Sequence, residues 1–134
     1  MDEELTRLAH TMMPFTVGLG LEILSGSPER VAGRGSWAAD RCTAGGVLHG
    51  GYLMALADTV GALCAVQNLP EGATTSTIES KTNFFRAVTE GDVDVTAIPL
   101  HVGRTTIVVQ TDVTRVDGKP VTRTTQTQAV IPPR

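Results

Sequence analysis

Apolar and polar residues follow two different rhythms along this chain, one with the repeat of a helix and one that alternates. The first helical stretch is "DEELTRLAHTM": Leu5, Leu8 and Met12 share a side and the acids cluster at its front, which predicts a helix over 3–12 ended by Pro14. "VGLGLEILS" then reads as a strand, Gly26-Ser27-Pro28 as a turn, and "RVAGRGSWAA" as a second strand able to pair with the first as a hairpin. A glycine-rich loop, "DRCTAGGVLHGG", opens a long apolar helix that "NLPEG" stops, with Pro70 unable to continue it. The remainder alternates. "TTSTIESKTNFFRAV", "GDVDVTAIPLHV", "RTTIVVQTDVTRV" and "KPVTRTTQTQAVI" are four long strands, punctuated by Gly91, Gly103 and the hairpin signal Asp117-Gly118. Residues 131–134 form a fraying tail.

This order gives an α+β plan with one antiparallel sheet in a single domain spanning residues 1–134, with residues 1–14 as an N-terminal helical segment. A helix apolar on nearly every face must be covered on nearly every face. A sheet curling around it meets most of that demand, and a second subunit would meet the rest. Composition is that of an ordinary globular chain, 41% apolar and 19% charged. A net charge of −3 supplies no basic footprint for nucleic acid and no polybasic membrane patch. The apolar helix is short for a membrane span and carries Asp58, so no membrane role is expected. Cys42 and Cys64 form no CxxC pair and the three histidines are scattered. Neither a metal site nor a disulfide framework is expected, and a reducing, cytoplasmic setting fits.

Asp58 is the acid that breaks the apolar helix. One reading makes it a cap or a solvated position. Against that, its helix neighbours Met54, Ala55, Ala62 and Ala65 include no charge partner, and their small side chains leave room for a ligand. A carboxylate buried among them would have a raised pKa, suited to a base or nucleophile. At the front of the helix, His49-Gly50-Gly51 places glycines where the first amides have no internal acceptor and the macrodipole is positive. Glycine admits a substrate oxygen close to those amides, so they can serve as an oxyanion hole. Gly50 and Asp58 lie eight residues apart, about 12 Å along a helix. One carbonyl cannot reach both in a single chain. Two antiparallel helices in a dimer can bring Gly50 of one subunit to Asp58 of the other.

The stretch "GGVLHGGYLMALADTVGA" resembles the HGG…LAD signature of hotdog-fold acyl-CoA thioesterases, of the phenylacetate-pathway and 4-hydroxybenzoyl-CoA thioesterase type. The resemblance extends over residues 16–130 through "NFFRAV", "PLHVGRT" and "TDVTRVDGKPVTRTTQTQAV". It implies a long central helix wrapped by a curved antiparallel β-sheet, and hydrolysis of an acyl- or aryl-CoA thioester in a homodimer or homotetramer with interfacial sites. No cofactor is implied beyond the coenzyme A of the substrate. Asp58 matches the family's catalytic carboxylate. Gly50 matches the glycine whose amide polarises the thioester carbonyl, and His49 the histidine that orders the loop. Thr77 falls where some relatives carry a hydroxyl near the attacking water. Gly51 accompanies Gly50, and His101, Gly103 and Arg104 match a region that contacts the CoA nucleotide. Thr43 stands where several relatives have Asn or Gln, and Ala62 where the hydroxybenzoyl type has a hydroxyl residue.

Other residues carry two readings each. Arg86 and Arg104 suit bidentate contact with CoA phosphates, or are solvated strand-end arginines. Tyr52, Phe84 and Phe85 line an acyl pocket or pack in the core. Two other functions share such a fold: hydration or dehydration of enoyl and hydroxyacyl thioesters, and acyl-CoA binding without turnover.

Overall fold

The computed structural model describes residues 1–134. Helix α1 spans Glu3–Met12, capped by the Asp2 carboxylate, which accepts from the Leu5 N–H at 3.0 Å. Glu3 and Glu4 stand in its first turn, where acids complement the helix dipole. A 3₁₀ turn follows at Pro14–Val17, and strands β1 (Glu22–Ser27) and β2 (Arg30–Ser36) form the expected hairpin. The central helix α2 runs from Gly50 to Gln67. Strands β3 (Thr74–Phe84), β4 (Asp92–Val102), β5 (Thr106–Arg115) and β6 (Pro120–Ile131) complete one antiparallel sheet in the order β1-β2-β4-β5-β6-β3.

Alternation along the strands creates the concave face. Val93, Val95 and Ala97 of β4 and Ile107, Val109 and Val113 of β5 are fully buried against α2. The helix replies with Leu53, Leu56, Val60, Leu63 and Cys64 in the same cluster. Each such aliphatic side chain contributes about 1.5–3 kcal/mol by leaving water. Helix α1 docks on the outer hairpin edge, where the Thr6 hydroxyl donates to the Ile23 carbonyl at 3.2 Å and accepts from the Ile23 N–H at 2.9 Å.

The expected strand from residue 17 begins only at Glu22. Pro14–Val17 tightens into a turn whose buried Thr16 hydroxyl donates to the Met13 carbonyl at 2.7 Å, and Gly20 adopts a left-handed φ of 64°. Gly26 and Ser27, expected in a turn, belong to β1, and the chain reverses at Pro28-Glu29. Gly26 has a packing reason to be there: a Cβ would come within 3.1 Å of the Leu5 side chain of α1.

The sheet does not close around the helix. Gly51, Met54 and Asp58 form an exposed stripe on α2, flanked by half-buried Ala55 and Ala62. Strand β3 is an edge, paired only with β6, and all its residues except Thr75 and Thr82 are exposed. Ile78, on that edge, is 63% exposed. No helix is long and apolar enough to cross a membrane.

Candidate active site at the head of the central helix

The loop before α2 is tied down by its backbone. The His49 N–H donates to the Arg41 carbonyl at 2.9 Å, the Leu48 N–H to the Val88 carbonyl at 2.9 Å, and the Thr43 N–H to the Val47 carbonyl at 2.8 Å. The Trp37 indole N–H donates to the Gly46 carbonyl at 2.9 Å, and Gly45 and Gly46 take the left-handed φ values, 81° and 72°, that the turn demands. His49 is the helix cap: its Nδ1 accepts from the Gly51 N–H at 2.7 Å. That bond fixes the tautomer, with the ring proton on Nε2. The His49 carbonyl accepts from the Tyr52 and Leu53 N–H groups at 3.0 and 3.2 Å.

Of the first four amides of α2, three therefore have acceptors, and the Gly50 N–H has none in the chain. It sits at the positive end of an 18-residue helix. A single unpaired donor at such a place can hold a developing oxyanion. The two residues that the sequence pairs, His49 and Gly50, stand side by side here, with the histidine occupied by the Gly51 N–H and the Gly50 N–H unpaired.

Asp58 lies two turns along, on the exposed stripe. The sequence reading took it as a buried acid; in the single chain it faces out, because the sheet covers only the other faces. It takes part in none of the three ion pairs, Arg34–Asp94, Arg115–Asp117 and Arg123–Asp112. Its partner is Gln126 of β6, whose Nε2 donates to Oδ1 at 3.3 Å. Sequence reasoning missed Gln126, since "TRTTQTQ" is polar on both faces and nothing in it marks the inward one. Thr77 lies on β3, exposed, with its hydroxyl accepting from Gln128 Nε2 at 2.8 Å. Thr75 donates to the Oε1 of the same glutamine at 3.0 Å. Polar side chains thus line the inner face of β6, where Thr122, Thr124, Gln126 and Gln128 are all buried.

The remaining sequence candidates divide between the two ends of the sheet. Phe84 stands at the Gly50 end; a Cβ on Gly50 would lie 3.1 Å from its ring. Phe84, Phe85 and Arg86 border a groove of about 760 Å³ with Asp112 and Arg123. Arg86 donates to the Pro120 carbonyl at 3.0 Å and has no carboxylate partner, so its charge remains available. A second groove, about 440 Å³, runs beside the helix head between Phe15, Leu19, Cys42, His49, Gly51 and Tyr52. Tyr52 is mostly core: its hydroxyl donates to the Leu19 carbonyl at 2.8 Å, and burial pushes its phenol above the ordinary range. His101, Gly103 and Arg104 lie far from Gly50 of the same chain. Their β4–β5 hairpin extends beyond the Val31–Ala97 pairing, toward the end of the sheet where Asn68, at the helix C-terminus, bonds the Pro28 carbonyl. No cluster of three or more His, Cys, Asp or Glu side chains forms anywhere in the chain. Cys42 and Cys64 are free, and burial raises the Cys64 thiol to about 11.

Comparison with known proteins places this architecture. Residues 45–122 match the model of the thioesterase superfamily. A protein of Haemophilus influenzae provisionally named an esterase is 39% identical over 74 residues, which are 55% of this chain and 54% of that protein, so the match spans about half the relative's length. The crystal structure of a thioesterase from Haemophilus influenzae superposes with a TM-score of 0.90 at 30% identity, covering 98% of this chain and 91% of the other. A hypothetical thioesterase protein from Streptococcus pneumoniae, solved with coenzyme A, superposes with a TM-score of 0.83 at 25% identity, covering 93% and 98%. A curved six-stranded sheet around one long helix, headed by the matched His49-Gly50 segment, is the hotdog fold, and the chain belongs to the thioesterase superfamily.

Proposed function

We propose that the protein hydrolyses an acyl- or aryl-CoA thioester to the free acid and coenzyme A. The observation that carries this reading is the Gly50 N–H, left without an acceptor at the head of α2 while its three successors are paired. The coenzyme A in the Streptococcus pneumoniae structure supports the thiol half of the substrate. The working unit is a homodimer, or a pair of dimers, in the cytoplasm. The bare stripe on α2 and the exposed β3 edge support a partner there, since a strand edge with unpaired backbone groups favours cover and Met54 and Ile78 stand exposed beside it.

In this reading the thioester oxygen accepts from Gly50 of one subunit, and Asp58 of the other faces the carbonyl carbon. Asp58 removes a proton from water as its oxygen attacks the carbon. The negative charge passes to the carbonyl oxygen, where the amide stabilises it. The C–S bond then breaks, and the thiolate of CoA takes up a proton as the acid leaves. Alternatively the carboxylate attacks directly, expels the thiolate and forms an anhydride that water opens. Single turnover in labelled water tests the direct route, because label in Asp58 can arise only from an anhydride opened at its own carboxyl carbon. Phe84 and Arg86, beside the helix head, and His101, Gly103 and Arg104, at the other end of the sheet, are the candidate contacts for the acyl and CoA portions.

The deciding experiment is Asp58→Asn assayed by thiol release across aryl-, short-chain and long-chain CoA esters. Loss of about 10²–10⁴-fold in kcat with the melting temperature retained is expected for removal of a general base. A near-parental rate would overturn the assignment. A double-bond absorbance change without free thiol would instead identify a hydratase, and saturable binding without turnover a carrier.

A further inference from the structure

We propose that Gln126 is a positioning residue for Asp58. The inference rests on the hydrolytic reading above and adds a group that no motif in the sequence marks. Gln126 is 0% exposed, its backbone is fixed in β6 between β5 and β3, and its amide projects under α2. Its Nε2 donates to Asp58 Oδ1 at 3.3 Å, the one hydrogen bond the carboxylate makes, which leaves Oδ2 free. The neighbouring Thr59 hydroxyl cannot share this task, because it donates back to the Ala55 carbonyl at 2.8 Å.

The helix is shaped to admit this amide. Gly61 lies one turn beyond Asp58, and a Cβ there would overlap Gln126 Oε1 and stand only 2.8 Å from its Cδ. Any other residue at 61 would push the amide away from the carboxylate. Gln126 Oε1 is buried without a hydrogen-bond partner, and so is the nearby Thr111 hydroxyl. An amide buried with an unpaired oxygen lowers stability compared with an apolar side chain of the same shape. Folding alone therefore gives no reason for a glutamine here, whereas orienting a carboxylate does. The amide orientation follows from the chemistry, since turning it over would point an oxygen lone pair at Asp58.

The test compares Gln126→Met, which keeps length and removes the donor, with the parent and with Asp58→Asn. Gln126→Met should lower kcat by roughly 10- to 100-fold, the range of one hydrogen bond to a charged group. KM should stay unchanged and the melting temperature should hold or rise. In the Asp58→Asn background the same substitution should cost nothing more, because the residue acts through the carboxylate. Full kcat in Gln126→Met, or its whole effect reappearing on top of Asp58→Asn, would overturn the proposal. If Gln126→Met does not fold, Gln126→Asn, which keeps the amide one methylene short, carries the same kcat expectation, the same dependence on Asp58 and the same refutation. An Asp58→Asn variant that releases thiol at the parental rate would instead remove Asp58 from the reaction, and binding without thiol release in the parent would remove the hydrolytic reading, so the failures are distinguishable.

Discussion

Replacing Gly50 with proline isolates the unpaired amide, because proline there removes a donor the fold does not use. His49 already has φ −62° and ψ 136°, the extended conformation required before a proline. Gly50 is the first helical residue, the position proline favours, and its φ is not left-handed. The new Cβ would lie 3.1 and 3.3 Å from Phe84 Cε1 and Cζ, and the exposed ring needs to yield by a few tenths of an ångström. Restricting the unfolded chain stabilises by about 0.4–1 kcal/mol, which offsets that crowding. The melting temperature should move by only a few degrees. Losing an oxyanion donor, by contrast, costs about 10²–10³ in kcat, or about 2.7–4 kcal/mol. Gly50→Ala is the control, since it places the same Cβ against Phe84 and keeps the N–H. Thiol release at saturating acyl-CoA, with melting curves for both variants, gives the comparison. A proline variant that turns over as fast as the alanine variant would refute the oxyanion-hole reasoning.

Gly61→Ala should not raise the melting temperature, although alanine is favoured over glycine in a helix by about 1 kcal/mol, because overpacking against the Gln126 amide costs about 1–3 kcal/mol. A rise of several degrees would mean that the amide has room to move. His49→Ala removes the cap from the Gly51 N–H and should cost about 1 kcal/mol in denaturant unfolding. Cys64 gives a pH signature. Folded, its thiol titrates near about 11, so it keeps a proton that the unfolded thiol loses near about 8.5. The folded state then binds more protons across that window, and stability should fall as pH rises from about 9 to about 11. Denaturant midpoints measured across that range should flatten in Cys64→Ala.

The central helix, the hairpins and the Gly50–Asp58 spacing were legible because each leaves a local mark: an unbroken apolar run, Asp-Gly at a turn, one acid among alanines. The misplaced edges of β1 were not, because Gly26 answers to Leu5 of α1, a contact between segments distant in sequence. Gln126 was hidden for a similar reason. Period-two alternation separates the faces of β4 and β5, where one face is apolar, but β6 is polar on both and its orientation is set only by pairing with its neighbours. Asp58 was expected to be buried and is exposed, since exposure depends on how far a sheet wraps, which no window of residues encodes.

The hydrogen bond from Trp37 to the Gly46 carbonyl has a practical side. This is the chain's one tryptophan, and it is fastened to the segment that leads into the proposed reaction centre. Its ultraviolet emission is therefore a built-in gauge of whether that segment is seated. Whether that segment is seated can be followed on the unlabelled protein, in variants that no longer turn substrate over as well as in the active one.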